Sequence, residues 1–429
     1  MSTLQKVVVV EGCRTPFLRS GTNYMDLLSY QLGGFAIKGL LTKTGIDPKL
    51  VDGVILGNVI ASVKTPNVAR EAALVAGIPH KTPCRTVSQA CISANRAIAD
   101  AYQEIMTGHA DIIIAGGIDH ISDAPIQFPK KMRKKLFFAQ KLKGLGDGIK
   151  FLSSLRFSDF IPERPAIAEY TTNKSMGADC DIMAARFGIT RAEQDAYALR
   201  SHQMAAKAQK KGLLTEEMVS VKFPPKFKEI QNDNGIRPDS KIDKLSRLRP
   251  VFDRKFGTLT AANSSFLTDG ASAVLLMSED KAKYLGFTAK AEIVDFTFTG
   301  QRLEDELLLG PAYAVYKLLN RQKMTFKDID VIEFHEAFAG QILSNLKALA
   351  SDDFANRELG LNKSLGEVPM EKFNLWGGSL SIGHPFGATG GRLLTTTCNR
   401  LKHEKGTYGL LAACAAGAHG HAMLLKTLL

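Results

Sequence analysis

The stretch Thr86-Val-Ser-Gln-Ala-Cys-Ile-Ser-Ala-Asn-Arg96 carries a candidate nucleophile at Cys91. Its first residues favour an extended run. After Cys91 the apolar residues Ala94, Ala97, Ile98, Ala101 and Ile105 recur at the helical period, with Gly108 as a stop. The spacing predicts a helix starting at Cys91. A thiol there meets unpaired backbone N–H groups and the positive end of the helix dipole, which favour thiolate and lower its pKa from about 8.5 toward neutrality. A lone cysteine in a helix–sheet contact is more often a packing residue. The nucleophile reading therefore depends on what other groups the chain supplies.

Three stretches toward the C-terminus supply them. His335-Glu-Ala-Phe338 follows the strand-like run Val331 to Phe334. Asn374-Leu-Trp-Gly-Gly-Ser-Leu-Ser-Ile-Gly-His-Pro-Phe-Gly-Ala-Thr-Gly390 surrounds His384 with glycines, which let a loop approach a ligand closely and fix an imidazole beside it. Tyr408-Gly-Leu-Leu-Ala-Ala-Cys-Ala-Ala-Gly417 reads as a strand ending in Cys414 and a turn. A histidine and two cysteines are what acyl transfer through a thioester requires. One thiolate attacks, an imidazole accepts its proton, and the second thiol manages the proton of the other reactant.

The elements that must position these groups fall into three parts. Residues 1–121 alternate strands and helices: Val7 to Val10, a helix around Asp26 to Thr42, Gly53 to Gly57, Asn67 to Ala76, then the Cys91 unit and the buried run Ile112 to Gly117. Residues 122–253 change character and read as an inserted loop domain. Within them Lys130 to Arg156 places Lys130, Lys131, Arg133, Lys134, Lys135, Lys141, Lys143, Lys150 and Arg156 against the single acid Asp147, interleaved with Phe137, Phe138, Ile149, Phe151 and leucines. That mixture describes a surface that lies on a membrane or receives a partner. Thr190-Arg-Ala-Glu193 is a capping box whose helix runs to Gly212, and Asp233-Asn-Gly235 marks a turn. The strand and helix alternation returns in 254–429, with the Ala271 to Met277 run, Ala291 to Phe296, a helix after Pro311 and Val331 to Phe334. Its size and order resemble the first part, which predicts a duplicated fold with pseudo-twofold symmetry.

Composition narrows the class. The chain has 55 Lys+Arg against 43 Asp+Glu, a net charge of +12, which suits a polyanionic partner such as a phosphorylated cofactor, an anionic membrane or nucleic acid. Nucleic acid gains little support, because the basic segment lacks a recognisable binding fold. The six cysteines are scattered without a CxxC spacing, which indicates neither a disulfide framework nor a metal site and points to a reducing compartment. No apolar run approaches the roughly 20 residues that cross a bilayer. Met1 to Val10 pass directly from a polar start into a strand, without an apolar signal core or an Arg/Ser-rich leader. Either the protein works where it is made, or a leader has been removed from it.

Gln89-Ala-Cys-Ile-Ser-Ala-Asn95, His335-Glu-Ala-Phe338, Gly383-His-Pro-Phe-Gly-Ala-Thr-Gly390 and Cys414-Ala-Ala-Gly417, in this order and at these separations, resemble the thiolase family. Arg14-Thr-Pro16, Asn67-Val-Ala-Arg70 and Gly257-Thr-Leu-Thr-Ala-Ala-Asn263 extend the likeness nearly end to end. Within the family it is most similar to the β-subunit of the fatty-acid oxidation trifunctional complex, through His335 opening its motif, the Lys130 to Arg156 insertion and the Cys-Ala-Ala-Gly ending. The resemblance implies an α/β fold of duplicated βαβαβαββ halves in an α-β-α-β-α layering. It implies 3-ketoacyl-CoA thiolase activity, with acetoacetyl-CoA synthesis or another condensing reaction as the alternative.

The resemblance also implies the roles. Cys91 is the nucleophile, His384 its base and Cys414 the acid/base for the acetyl-CoA carbanion; His335 binds the thioester oxygen together with His384. Cys91 and Ala416 lend backbone N–H groups to a second oxyanion hole, and Asn263 and Ser265 contact the pantetheine arm. Coenzyme A and acyl-CoA enter as substrates, with no cofactor bound permanently. The implied partners are a second copy in a homodimer, an α-subunit with hydratase and dehydrogenase activities, and a peripheral membrane contact. Cys13, Cys84, Cys180 and Cys398 are left as structural.

Overall fold

The computed structural model describes residues 4–163 and 168–429, so the polar start read at residues 1–3 lies outside the described part. Ten strands are formed: β1 Val7–Arg14, β2 Leu18–Arg19, β3 Gly53–Asn58, β4 Cys84–Val87, β5 Ile112–Asp119, β6 Thr268–Ser278, β7 Ala291–Gly300, β8 Val331–Phe334, β9 Tyr408–Ala415 and β10 His419–Thr427. The helices of the first part are α1 Ser29–Thr44, α2 Val68–Val75 and α3 Ser93–Met106. The middle part holds α4 Lys130–Ala139, α5 Leu145–Ser154, α6 Met176–Arg186, α7 Arg191–Lys210 and α8 Ile242–Leu245. The last part adds α9 Glu279–Tyr284, α10 Gly310–Gln322, α11 Ala339–Leu349, α12 Asp352–Leu359, α13 Ser379–Ile382 and α14 Thr389–Glu404.

The strands run in the order β4-β3-β5-β6-β1-β7-β10-β9-β8, with β2 on β6. On one side β3 and β5 are parallel and β5, β6 and β1 antiparallel. On the other β8 and β9 are parallel and β9, β10 and β7 antiparallel. About the β1–β7 seam the two arrangements match strand for strand, apart from the extra β4, which is the duplication expected from the sequence. β6 pairs with β5 and β1, so strand pairing groups residues 268–278 with the elements that precede residue 122.

Strand alternation explains why both faces are apolar. Val7 and Val9, Ile113 and Ala115, Val274 and Leu276, Leu411 and Ala413, and Met423 and Leu425 share one core with α3 and α14. The alternate residues of the first half, such as Val8, Ile114 and Leu275, pack under α1 and α2. Those of the second half, such as Leu410, Ala412 and Leu424, pack under α10 and α11. Two helix-covered sheets around a shared α3–α14 layer give the expected α-β-α-β-α order.

No strand of the ten lies in 122–253 among the described residues. This part is tied to the core by a buried cluster. Arg14, fully enclosed, donates to Glu217 at 2.8 Å and to Asp233 at 2.7 and 2.9 Å. Asp233, read as a turn residue, therefore acts as a charge partner. Farther out, α4 and α5 stand at the surface with large apolar side chains uncovered: Leu145 is 91% exposed, Ile149 67%, Leu152 66% and Phe157 85%.

Candidate active site

Cys91 follows β4 and stands one residue before Ile92, the N-cap of α3, so the helix starts two residues later than the spacing predicts. The turn before it is forced: Ala90 has φ 46°, in the left-handed region that costs a non-glycine residue. Ser93 braces it, its hydroxyl accepting from Gln89 N–H at 2.8 Å and donating to the Ala90 carbonyl at 2.6 Å.

The expected low pKa is not found. Burial pushes the Cys91 thiol up to about 12, although the N–H groups of Ala416 and of Cys91 itself point at its sulfur and pull the other way. Asp119 and Glu169 add negative charge nearby. Loss of hydration outweighs a helix terminus that the sulfur meets only through these amides. Cys414, near the end of β9, is also raised, by burial and then by proximity to Cys91, and both thiols line one cavity.

His384 sits between Gly383, whose φ of 115° only glycine adopts freely, and Pro385. Its backbone N–H donates to Thr268 Oγ1 at 2.9 Å. Its Nδ1 lies 2.6 Å from Thr389 Oγ1, and that hydroxyl already donates to the Pro385 carbonyl at 3.0 Å. Thr389 therefore accepts, Nδ1 carries the proton, and Nε2 is left with a free lone pair. Burial, helped by the Arg392 cation, lowers the ring's pKa to about 3, so it stays neutral.

His335 directly follows β8, with its ring centroid 3.9 Å from that of His384. Its Nδ1 lies 2.9 Å from Ser379 Oγ, which accepts from Arg392 Nη2 at 3.0 Å. Among the described residues the Ser379 hydroxyl meets no other acceptor, so its proton goes to Nδ1 and leaves His335 protonated at Nε2. The two rings thus hold opposite tautomers: a base at His384 and a donor at His335. Neither Nε2 finds a protein partner among the described residues. Arg392 is held in turn by Glu333, 3.7 Å away, whose carboxyl burial raises to about 7.

A cavity of about 610 Å³ joins Cys91, His384, Cys414, Ala416 and Ser265. Its other walls are mostly apolar, among them Val59, Ile60, Met176, Val251, Phe252 and Phe338. Two sequence candidates stand elsewhere. His335 lies behind His384 rather than on the wall. Asn263 is fully enclosed, donating to Asp195 and the Thr258 carbonyl at 3.0 and 3.1 Å and accepting from Thr260 N–H at 2.7 Å. It braces the loop that presents Ser265, and its amide is spent there rather than on a pantetheine arm. The sequence reading missed Ser379, Thr389 and Arg392, although all three lie within or just beyond the glycine-rich stretch.

Two cysteines and a neutral histidine around one apolar cavity, on two matching halves, define an acyltransferase of the thiolase type. The model of the thiolase N-terminal domain matches residues 7–280 and that of the C-terminal domain residues 287–427, and the chain belongs to the thiolase family. It is 51% identical over 423 residues to the mitochondrial trifunctional enzyme subunit beta of Homo sapiens, covering 99% of this chain and 89% of that protein. It is 45% identical over 421 residues to the 3-ketoacyl-CoA thiolase of Pectobacterium atrosepticum, covering 98% and 96%. The crystal structure of human mitochondrial 3-ketoacyl-CoA thiolase in complex with CoA matches it with a TM-score of 0.83 at 30% identity, over 100% of both chains.

Proposed function

We propose that this chain is a 3-ketoacyl-CoA thiolase that works by a covalent acyl-Cys91 intermediate. The observation that carries the reading is the convergence of Cys91, Cys414 and the unprotonated Nε2 of His384 on one apolar cavity. Cys91 gives its proton to His384 Nε2 as its sulfur attacks the keto carbon of 3-ketoacyl-CoA. The opposed pKa directions of the two groups argue against a resting thiolate–imidazolium pair, so transfer and attack proceed together. The N–H groups of Cys91 and Ala416 stabilise the oxyanion. The bond between the keto carbon and its neighbour toward the thioester breaks, and Cys414 protonates the departing acetyl-CoA carbanion. His335, set behind His384, reaches the thioester oxygen through a water. The thiol of a second CoA then takes the acyl group from Cys91.

The apolar walls suit an acyl chain, which favours cleavage of longer 3-ketoacyl-CoA over acetoacetyl-CoA synthesis. The position of Ser265 on the cavity wall supports a contact with the pantetheine arm. For assembly, the open edge of β4 supports pairing with a second copy in a homodimer. The human relative's name as a subunit beta, with the resemblance above, supports association with an α-subunit bearing hydratase and dehydrogenase activities. The uncovered α4–α5 face supports contact with an anionic membrane. Among the described residues no helix is long and apolar enough to cross one.

Mass spectrometry after brief exposure to a 3-ketoacyl-CoA tests the reading. The acyl group is expected on Cys91, and Cys91→Ala is expected to lose both label and thiolysis. Label on another cysteine, or full activity without Cys91, would refute it.

A further inference from the structure

Glu169 belongs to none of the motifs above and comes from the middle part of the chain, yet its carboxylate Oε1 accepts from Gly417 N–H at 2.5 Å. The adjoining amide, Ala416 N–H, is one of the two that point at the Cys91 sulfur. We infer that Glu169 is a positioning residue that holds the Cys414-Ala-Ala-Gly417 turn in the shape that aims the Ala416 N–H at the reacting atom. This rests on the acyl-transfer reading above.

The turn needs holding. Gly417 has φ 79° and Ala418, which is not glycine, φ 53°, so two consecutive left-handed residues stand directly after the oxyanion donor. Fixing Gly417 N–H fixes the peptide plane next to that donor. The support is itself anchored: Glu169 N–H donates to the Lys174 carbonyl at 2.9 Å and Asn173 N–H to the Glu169 carbonyl at 2.8 Å. A bridge between Ala168 and Ser175 closes the same loop, and both residues line the cavity. A carboxylate makes a stronger bond to an N–H than a neutral acceptor does.

The same carboxylate puts negative charge near Cys91, where Asp119 also bears on it and His384 and Cys414 stand opposite. Its charge disfavours the thiolate while its hydrogen bond serves the oxyanion hole. Glutamine separates the two effects, because it keeps the acceptor and removes the charge.

The test is pre-steady-state acylation of Cys91 in the full-length chain by a 3-ketoacyl-CoA, quenched and read by mass spectrometry, as a function of pH. E169A is expected to slow acylation about tenfold or more, a fraction of the 10²–10³ for deleting an oxyanion donor, with KM little changed. E169Q is expected to stay within about twofold of the parent at the optimum. Cys91 in E169Q should also be alkylated faster than in the parent at a fixed pH, since loss of the charge eases thiol ionisation. Parent-like acylation by E169A, or E169Q as slow as E169A, would overturn the inference. Should E169A fail to fold, E169Q decides alone: a tenfold loss of acylation or an unchanged rate of Cys91 alkylation overturns it. A parent chain that does not acylate Cys91 would instead sink the acyl-transfer reading.

Discussion

His384 and His335 stand ring to ring, yet their neighbours give them opposite proton inventories. Two hydroxyls decide this, Thr389 by accepting and Ser379 by donating. Thr389→Val keeps the volume and removes the acceptor, leaving the Nδ1 proton of His384 buried and unpaired. Acylation of Cys91 is expected to fall by about ten- to a hundredfold, within the range that general-base assistance supplies, with substrate KM unchanged. A parent-like rate would show that the tautomer is set some other way. Cys414→Ala separates the two thiols: Cys91 should still acylate, while exchange of the acetyl-CoA α-proton, followed by deuterium uptake, should disappear. Persistent exchange would remove Cys414 from the acid/base role.

At the scale of elements, the strands were legible because each half-sheet is covered on both faces, so their residues read as apolar runs. The helices after Asn67, Thr190 and Pro311 were legible from caps and period. What misled was local. The Cys91 thiol was placed by its neighbours in sequence, whereas its pKa is set by the desolvation that residues from β9 and the His384 loop impose. Asn263 ends its motif two residues before Ser265, but only the fold shows which side chain reaches the cavity. Ser379, Thr389 and Arg392 escaped because their roles are hydrogen bonds to other side chains, which leave no periodic trace.

The α4–α5 hairpin is legible in both respects, basic and apolar, and the structure adds that Lys135 meets Asp159 at 2.6 Å and Arg133 lies 3.6 Å from Glu163. Acids outside the segment thus relieve part of its repulsion. Each remaining cation near an anionic bilayer contributes on the order of 1 kcal/mol. Replacing Lys130, Lys131, Arg133, Lys134 and Lys135 with Glu is expected to abolish co-sedimentation with cardiolipin-containing vesicles while thiolysis of soluble substrates continues. Undiminished sedimentation would assign the face to something other than a membrane.

The whole molecule carries a set of histidines held neutral by burial. His384 and His421 are lowered to about 3, His202 to about 4, and His335 also lies well below its ordinary range. Unfolded, each takes a proton near pH 6.5. The stability tied to their neutral forms is therefore complete above about pH 6.5 and is lost as pH falls from there toward 3. Asp119 and Glu333, raised to about 7, act in the opposite sense, holding protons that the unfolded chain has released above about pH 4. Burial also lowers His120 and raises Asp179, so five groups stand against three, and Tm is expected to drop between pH 7 and 5. A flat or rising Tm would mean that some of these rings are charged in the folded chain.

The matched halves set a clock as well as a symmetry. Cys91 precedes α3 and His384 precedes α14, the two helices of the shared layer, so the proposed nucleophile and base occupy corresponding places in the two halves. On the ribosome these places do not appear together. At about 5–20 residues per second, the first half, its thiol included, waits on the order of tens of seconds before the His384 loop and the Cys414 turn are made. During that interval the nascent chain carries a cysteine with neither base nor oxyanion donor from Ala416, and so cannot consume acyl-CoA. Reactivity arrives only when the last strands close, and the birth of the enzyme and the completion of its fold are the same event.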